Sequence, residues 1–137
     1  MAVYTHLSDK EIRNFLTEYD IGQLLDFSEI AEGVENSNFL LTTSSDKYIL
    51  TLYEKRVDPH DLPFFLKLLS HLANAGLSCP LPVEGIDGNA LRTLGGKPAA
   101  IVTYLQGSWP RQTTLDHCKA LGSTMACLLY TSPSPRD

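Results

Sequence analysis

A polar start followed by apolar residues at helical spacing marks the first predicted element. Ser8 and Glu11 form a capping box, in which the hydroxyl and the carboxylate satisfy backbone N–H groups of the first helical turn. Apolar residues then recur at i, i+3, i+4 and i+7, which places them on one face of a helix. These residues are Ile12, Phe15, Leu16 and Tyr19. Gly22 is the predicted end of the helix.

Between residues 25 and 53 the apolar positions alternate with polar ones, which is typical of β-strands. Three strands are predicted, at residues 25–32, 38–43 and 48–53. A turn at residues 33–37 joins the first two, and a hairpin loop at 44–47 joins the second and third. Because these connections are too short for crossover helices, the strands are expected to form an antiparallel meander.

The helical period returns after residue 58, where prolines in a first turn are tolerated. This second helix is predicted to start between Asp58 and Asp61 and to end at Gly76. Its predicted buried face consists of Leu62, Phe65, Leu66, Leu69, Leu72 and Ala73.

Two more strands and one more helix complete the pattern. The strands are predicted at 90–93 and 99–105, and the second is nearly all apolar, so we expect it inside the sheet. After a linker at 106–110, Thr113 is the predicted cap of the third helix, with Asp116 at its N3 position. The order predicts an α+β fold, a five-stranded antiparallel sheet with a helix inserted between strands three and four.

Composition narrows the class of protein. The chain has 137 residues, 43% of them hydrophobic, and a net charge of −5, which suits one domain or one lobe. Without a basic run it is not expected to bind nucleic acid, and without a long apolar stretch it is not expected to bind or cross a membrane. The first nine residues lack the apolar core of a signal peptide, and the three cysteines form no disulfide pattern. A cytoplasmic protein is therefore expected.

The turn at residues 32–38 is rich in glycine, asparagine and serine. Its backbone N–H groups could form a nest for phosphate oxygens, but the same composition also fits an ordinary tight hairpin. Glu35 opposes the phosphate interpretation, because a carboxylate repels an anion. Lys55 and Arg56 end the third strand and could bind phosphates or simply solvate the strand end.

No catalytic centre can be identified from the residues alone. The four histidines lack the spacing of metal ligands, and no serine lies in a nucleophile turn. Cys79 has no neighbouring cation in the sequence that would lower its pKa. The residues are compatible with nucleotide binding but reveal no general base and no metal ligands.

Several long segments resemble the start of bacterial homoserine kinases of the aminoglycoside-phosphotransferase-like type. They are residues 32–39, 48–55, 62–66, 79–83 and 96–102, and the similarity extends over residues 1–126. The resemblance implies the N-terminal lobe of a protein-kinase-like fold, followed by the start of the C-terminal lobe. It implies ATP and Mg2+ as cofactors and L-homoserine as the small-molecule substrate, phosphorylated on its hydroxyl for threonine synthesis.

The resemblance also implies roles for individual residues. Residues 33–38 would cover the phosphates, Val34 and Ile49 would pack on the purine, and residues 102–106 would form the hinge. Strand three of kinases normally carries a Lys or Arg that holds the phosphates. Here Thr51 is near that place, and the nearest cations are Lys55 and Arg56. The candidate nucleotide-binding residues are Gly33, Val34, Glu35, Asn36, Ser37, Asn38, Ile49, Thr51, Lys55, Thr103, Tyr104 and Leu105.

The expected organisation has three parts. Residues 1–106 form the nucleotide-binding lobe, residues 107–126 form the linker and first helix of the second lobe, and residues 127–137 resemble a translated sequencing adapter. The alternative for the last segment is a natural Ser/Pro-rich terminus. Because the catalytic loop and the metal ligands belong to the second lobe in this superfamily, we expect the chain by itself to be inactive. Other small-molecule kinases of this fold, acting on choline, methylthioribose or aminoglycosides, remain alternatives, as does a stand-alone nucleotide- or partner-binding module.

Overall fold

The computed structural model describes residues 5–30, 36–54, 58–106 and 112–131. The elements in chain order are α1 (Asp9–Leu16), β1 (Leu24–Ile30), β2 (Asn36–Thr43), β3 (Lys47–Tyr53), α2 (Leu62–Asn74), β4 (Arg92–Leu94), β5 (Lys97–Thr103) and α3 (Leu115–Thr131). The predicted α+β class is confirmed, including the helix inserted between the third and fourth strands.

One antiparallel sheet contains all five of these strands, in the order β1-β2-β3-β5-β4. The apolar strand β5 therefore lies inside the sheet, as its composition predicts. The segment before β4 lengthens that side of the sheet, because Val83 N–H donates to Ile101 O at 2.8 Å and Thr103 N–H donates to Leu81 O at 2.9 Å.

The two faces of the sheet differ in what packs against them. On the closed face, alternate residues of the strands pack against α1 and the segment that follows it. The buried residues of this core are Leu7, Ile12, Phe15, Leu16, Tyr19, Ile21, Leu24, Phe39, Leu41, Leu50, Leu52, Ala99 and Ile101. The residues between them in the strands point to the other side, which we call the open face.

The first helix starts as predicted but ends early. Ser8 caps it, since its Oγ accepts from the Glu11 N–H at 3.2 Å. The helix ends at Leu16, yet Tyr19 is still buried in the turn that follows. The helical spacing of apolar residues therefore predicted a longer helix than the structure has. Gly22, with φ of +89°, serves instead in the turn that leads into β1.

The second helix ends in a Schellman motif. Leu77 N–H donates to Leu72 O at 3.0 Å and Gly76 N–H donates to Ala73 O at 3.1 Å, while Gly76 adopts φ of +95°. This confirms the predicted stop. One predicted core residue is wrong, because Phe65 is 48% exposed and packs edge-on against Phe64.

Several strand and helix boundaries also differ from the predictions. Strand β2 begins at Asn36 rather than 38, β4 occupies 92–94 rather than 90–93, and β5 ends at Thr103 rather than 105. The cap of α3 is Thr114, whose Oγ1 accepts from the His117 N–H at 3.3 Å, so Thr113 was the wrong residue. Helix α3 continues into the first five residues of the predicted tail, whose origin stays a prediction.

An ion-pair cluster ties the end of α1 to the β4 edge of the sheet. Arg92 Nε lies 2.8 Å from Glu18 Oε2, and Arg92 Nη1 lies 2.7 Å from Asp87 Oδ1. The guanidinium also lies 5.5 Å from the centre of the Tyr19 ring. The Arg92 hydrogen bond lowers the pKa of Asp87 to about 2. None of the residues of this cluster belongs to β2.

Candidate functional site

Two rows of side chains cross the open face. Strand register places Leu40 opposite Ile49 and Ile49 opposite Val102, and it places Asn38 opposite Thr51 and Thr51 opposite Ala100. Residues directly opposite in antiparallel strands share a face of the sheet. Three of the predicted nucleotide-binding residues, Asn38, Ile49 and Thr51, therefore lie together on this face.

The open face changes from apolar to polar along the strands. The row through Ile49 is aliphatic, and it lies toward the chain that leaves β5. The next row carries Asn38 and Thr51, and beyond it Asn36 lies opposite Tyr53. From Ile49 to Tyr53 the strand advances about 13 Å, at roughly 3.3 Å per residue. The aliphatic row is suited to pack against a flat apolar ring, and the polar row is suited to bind a polar group attached to that ring.

The polar row contains a neutral pair where the family resemblance leads one to expect a cation. Thr51 Oγ1 donates to Asn38 Oδ1 at 2.8 Å, which leaves the Asn38 amide N–H groups for another partner. Asn36 Oδ1 is buried and has no hydrogen-bond partner among the residues described. The Asn38 amide offers hydrogen bonds to a polar ligand, but no positive charge.

The predicted hinge lies at the apolar end of the open face. Tyr104 is half-buried, with Lys47 Nζ 5.9 Å from its ring centre, and Leu105 is 47% exposed. Within the described chain, the backbone groups of Tyr104, Leu105 and Gln106 form no backbone hydrogen bonds. They are therefore available to a planar ligand with donors and acceptors on its edge.

Two predicted residues point away from the open face. Ser37 is fully buried on the closed face, where its hydroxyl donates to Glu54 Oε1 at 2.6 Å. Thr103 Oγ1 accepts from the Leu81 N–H at 2.9 Å. The side chains of Ser37 and Thr103 are thus engaged within the protein, and we drop both from the set that faces a ligand. Prediction placed Ser37 in the turn, but it belongs to β2.

Four predicted residues lie outside the described residues. They are Gly33, Val34, Glu35 and Lys55. Their roles stay predictions from the resemblance.

The sequence did not reveal a polar network at the end of the closed face where β2 begins and β3 ends. Glu54, the residue after β3, accepts hydrogen bonds from Thr5, Ser37 and Lys97. Burial by itself raises the pKa of Glu54, but these three hydrogen bonds outweigh it and hold the pKa below its ordinary value. One signal was present in the sequence, because Glu54 continues the alternation of the buried Leu50 and Leu52.

The described residues include no group of three or more His, Cys, Asp or Glu side chains that could hold a metal ion. No helix within the same residues is long and apolar enough to cross a membrane.

Comparison with known proteins assigns the fold to a family. Residues 26–129 match the model of the Phosphotransferase enzyme family. The match covers most of the chain, including every strand but the start of β1, so the chain belongs to this family.

The curated relatives are more specific. The chain is 60% identical over 128 residues to the homoserine kinase of Paramagnetospirillum magneticum, covering 93% of this chain and 39% of that protein. It is 58% identical over 126 residues to the homoserine kinase of Bradyrhizobium diazoefficiens, covering 92% of this chain and 38% of that protein. The chain thus spans about two-fifths of the length of the curated relatives it matches.

Two solved structures share the fold at low sequence identity. One is a spectinomycin phosphotransferase in complex with ADP and spectinomycin, with a TM-score of 0.74, 14% identity, and coverage of 95% of this chain and 40% of that one. The other is a microcompartment-associated aminopropanol kinase, with a TM-score of 0.71, 21% identity, and coverage of 93% and 43%. At these identities the likeness concerns the fold alone.

Proposed function

We propose that this chain supplies the nucleotide-binding lobe of a homoserine kinase, which transfers the γ-phosphoryl group of ATP to the hydroxyl of L-homoserine. The observation that carries the proposal is the apolar-to-polar gradient of the open face. The purine packs on Ile49 and Val102, its edge meets the backbone of residues 104–106, and the phosphates extend toward Asn38 and Thr51.

The remaining candidates come from the resemblance. Gly33, Val34 and Glu35, together with Asn36 at the start of β2, are proposed to cover the phosphates, and Lys55 is the proposed cation beside them. The magnesium ligands and the catalytic base are proposed to lie in a second lobe. Positioning and charge stabilisation supply most of the catalysis in phosphoryl transfer, so a lobe that only holds the nucleotide still contributes to the rate.

The exposed surface of α3 supports a larger protein. Its apolar side chains point into solvent throughout the described residues of the helix. The large ones that precede the predicted tail are Leu115, Leu121 and Met125. An apolar helix without cover normally marks an interface, and here we propose the second lobe of the same kinase as its partner.

A chimera tests the nucleotide part of the proposal. Residues 1–126 of this chain replace the matching N-terminal part of the Paramagnetospirillum magneticum homoserine kinase. We expect the chimera to convert ATP and L-homoserine to ADP and O-phospho-L-homoserine, measured by coupled ADP release. A folded chimera that binds no nucleotide would contradict the proposal. The 137-residue chain by itself should show no turnover.

The acceptor requires a separate experiment, because the chimera takes its acceptor site from the relative. The complete kinase that contains this chain should be tested against L-homoserine, choline, methylthioribose and an aminoglycoside at equal concentrations. We expect a clear preference for L-homoserine, as the identity of 60% to a homoserine kinase favours it. A preference for another acceptor would leave the nucleotide lobe intact and change the enzyme class.

A further inference from the structure

Four polar side chains close one end of the core on the closed face. Ser37 Oγ donates to Glu54 Oε1 at 2.6 Å, and Thr5 Oγ1 donates to the same oxygen at 2.8 Å. Lys97 Nζ donates to Glu54 Oε2 and to Thr5 Oγ1. The Thr5 N–H also donates to Ser37 Oγ at 3.1 Å. We call these four residues the Glu54 network.

The Glu54 network differs from the surface ion pairs of this protein. The Glu54 side chain is 9% exposed and that of Lys97 is 33% exposed, whereas those of Arg13 and Asp9 are 49% and 54% exposed. A carboxylate removed from water is costly unless it is paired and hydrogen-bonded, and both Glu54 oxygens have such partners. Loss of one partner should therefore disturb the others.

The location of the network matters more than its stability. It joins four segments, since Thr5 precedes α1, Ser37 is the second residue of β2, Glu54 follows β3 and Lys97 begins β5. Ser37 lies between Asn36 and Asn38, whose side chains are on the open face. The network therefore anchors β2, from the opposite side of the sheet, beside the two asparagines that are proposed to face the phosphates.

We propose that Glu54 is a positioning residue, which holds the start of β2 through Ser37 so that Asn36 and Asn38, on either side of Ser37, face the nucleotide phosphates from the open face. The inference deepens the proposed function of the open face and rests on it. Glu54 itself faces the opposite side of the sheet and acts on the nucleotide only through the backbone it anchors.

Kinetics of the chimera described above test this role. Glu54→Gln keeps the shape of the side chain but removes its charge, and Lys97→Met removes the ammonium. We expect each to raise the KM for ATP by about fivefold or more, since hydrogen bonds to charged groups are among the stronger ones. The KM for L-homoserine should stay within about twofold, because the acceptor site of the chimera comes from the relative and the network is proposed to position only the phosphates. Lys97→Arg keeps the charge and should restore most of the ATP affinity.

Arg92→Met is the matched control. It also removes a cation that pairs with carboxylates, and Arg92 is only 12% exposed, but its cluster joins α1 to β4 without touching β2. We expect a lower melting temperature and an unchanged KM for ATP. Ser37→Ala removes one hydroxyl and should raise the KM for ATP in the same direction, by less. It serves as the second variant if Glu54→Gln fails to fold.

The outcomes distinguish a failure of the proposed function from a failure of the positioning role of Glu54. If the unmodified chimera is inactive, the proposed function fails. If it is active, but the Glu54, Lys97 and Ser37 variants lose only thermal stability, as the Arg92 control does, the positioning role is overturned. An equal rise of both KM values would also overturn it, because the effect would then not be specific to the nucleotide.

Discussion

Isoleucines on opposite faces of the lobe provide a direct test of the open face. Ile49 is half-buried on that face, in the row between Leu40 and Val102, whereas Ile12 of α1 is fully buried against the closed face. Replacing each by alanine removes the same atoms. Ile49→Ala should therefore mainly weaken nucleotide binding, whereas Ile12→Ala should mainly lower stability.

The magnitudes follow from burial. Ile12→Ala leaves a cavity in a closed core and should reduce the free energy of unfolding by about 2–5 kcal/mol. Ile49→Ala should cost roughly 1–2 kcal/mol, because part of the side chain is already in contact with water. If a purine covers about 50 Å2 of Ile49, the lost contact is worth about 1.2 kcal/mol, at ~25 cal/mol per Å2. That corresponds to a nucleotide Kd weakened by roughly sevenfold, at about 1.4 kcal/mol per tenfold.

Titration calorimetry of the chimera with ADP measures the Kd, and chemical unfolding measures the stability. We expect Ile49→Ala to weaken ADP binding with a modest loss of stability. Ile12→Ala should destabilise more and leave the Kd within about twofold under conditions where the protein is folded. Equal effects of the two variants on the Kd, or no effect of Ile49→Ala, would refute the assignment of the open face to the purine.

The other predictions concern polar groups on each face. Thr51→Val keeps the shape of the side chain but removes the donor to Asn38. We expect a loss of about 0.5–1.5 kcal/mol in the free energy of unfolding and a higher KM for ATP. An unchanged KM would show that this pair does not contribute to phosphate binding. The Glu54 pKa is lowered on folding, so its ionised form adds stability at neutral pH that is lost as the pH falls through the folded pKa. The stability advantage of the native chain over Glu54→Gln should therefore shrink in acid and persist at neutral pH, as followed by unfolding across that range. An advantage that does not depend on pH would argue against a charged Glu54.

Local patterns predicted most of the elements because each depends on neighbours in sequence. The Ser8 cap and the Gly76 stop are satisfied by backbone groups within a few residues, and both were found. Alternation located the strands but not their ends, since Asn36 joins β2 only through its partner Tyr53 across the hairpin. The helical period overran α1 for a related reason, because Tyr19 is buried by tertiary packing and not by helical geometry.

The candidate site was predicted less completely. Ile49 and Thr51 follow from strand alternation and from the family resemblance together, and they do share a face. Ser37 was assigned to the turn because serine is common in turns, but its hydroxyl is held by Glu54, 17 residues away. The contact between Lys97 and Thr5 spans 92 residues, and no local pattern encodes a contact of that range.

The position of Thr5 has a practical consequence for anyone choosing where translation of this gene begins. Its N–H and its hydroxyl both contribute to the Glu54 network, only four residues after Met1. A gene annotation that moves the start codon past Thr5, or a truncated clone made to trim the terminus, would keep the whole of α1 and every strand. It would nevertheless remove a hydrogen-bond partner from a buried carboxylate beside the proposed nucleotide site. Such a protein would be expected to fold and still use ATP poorly.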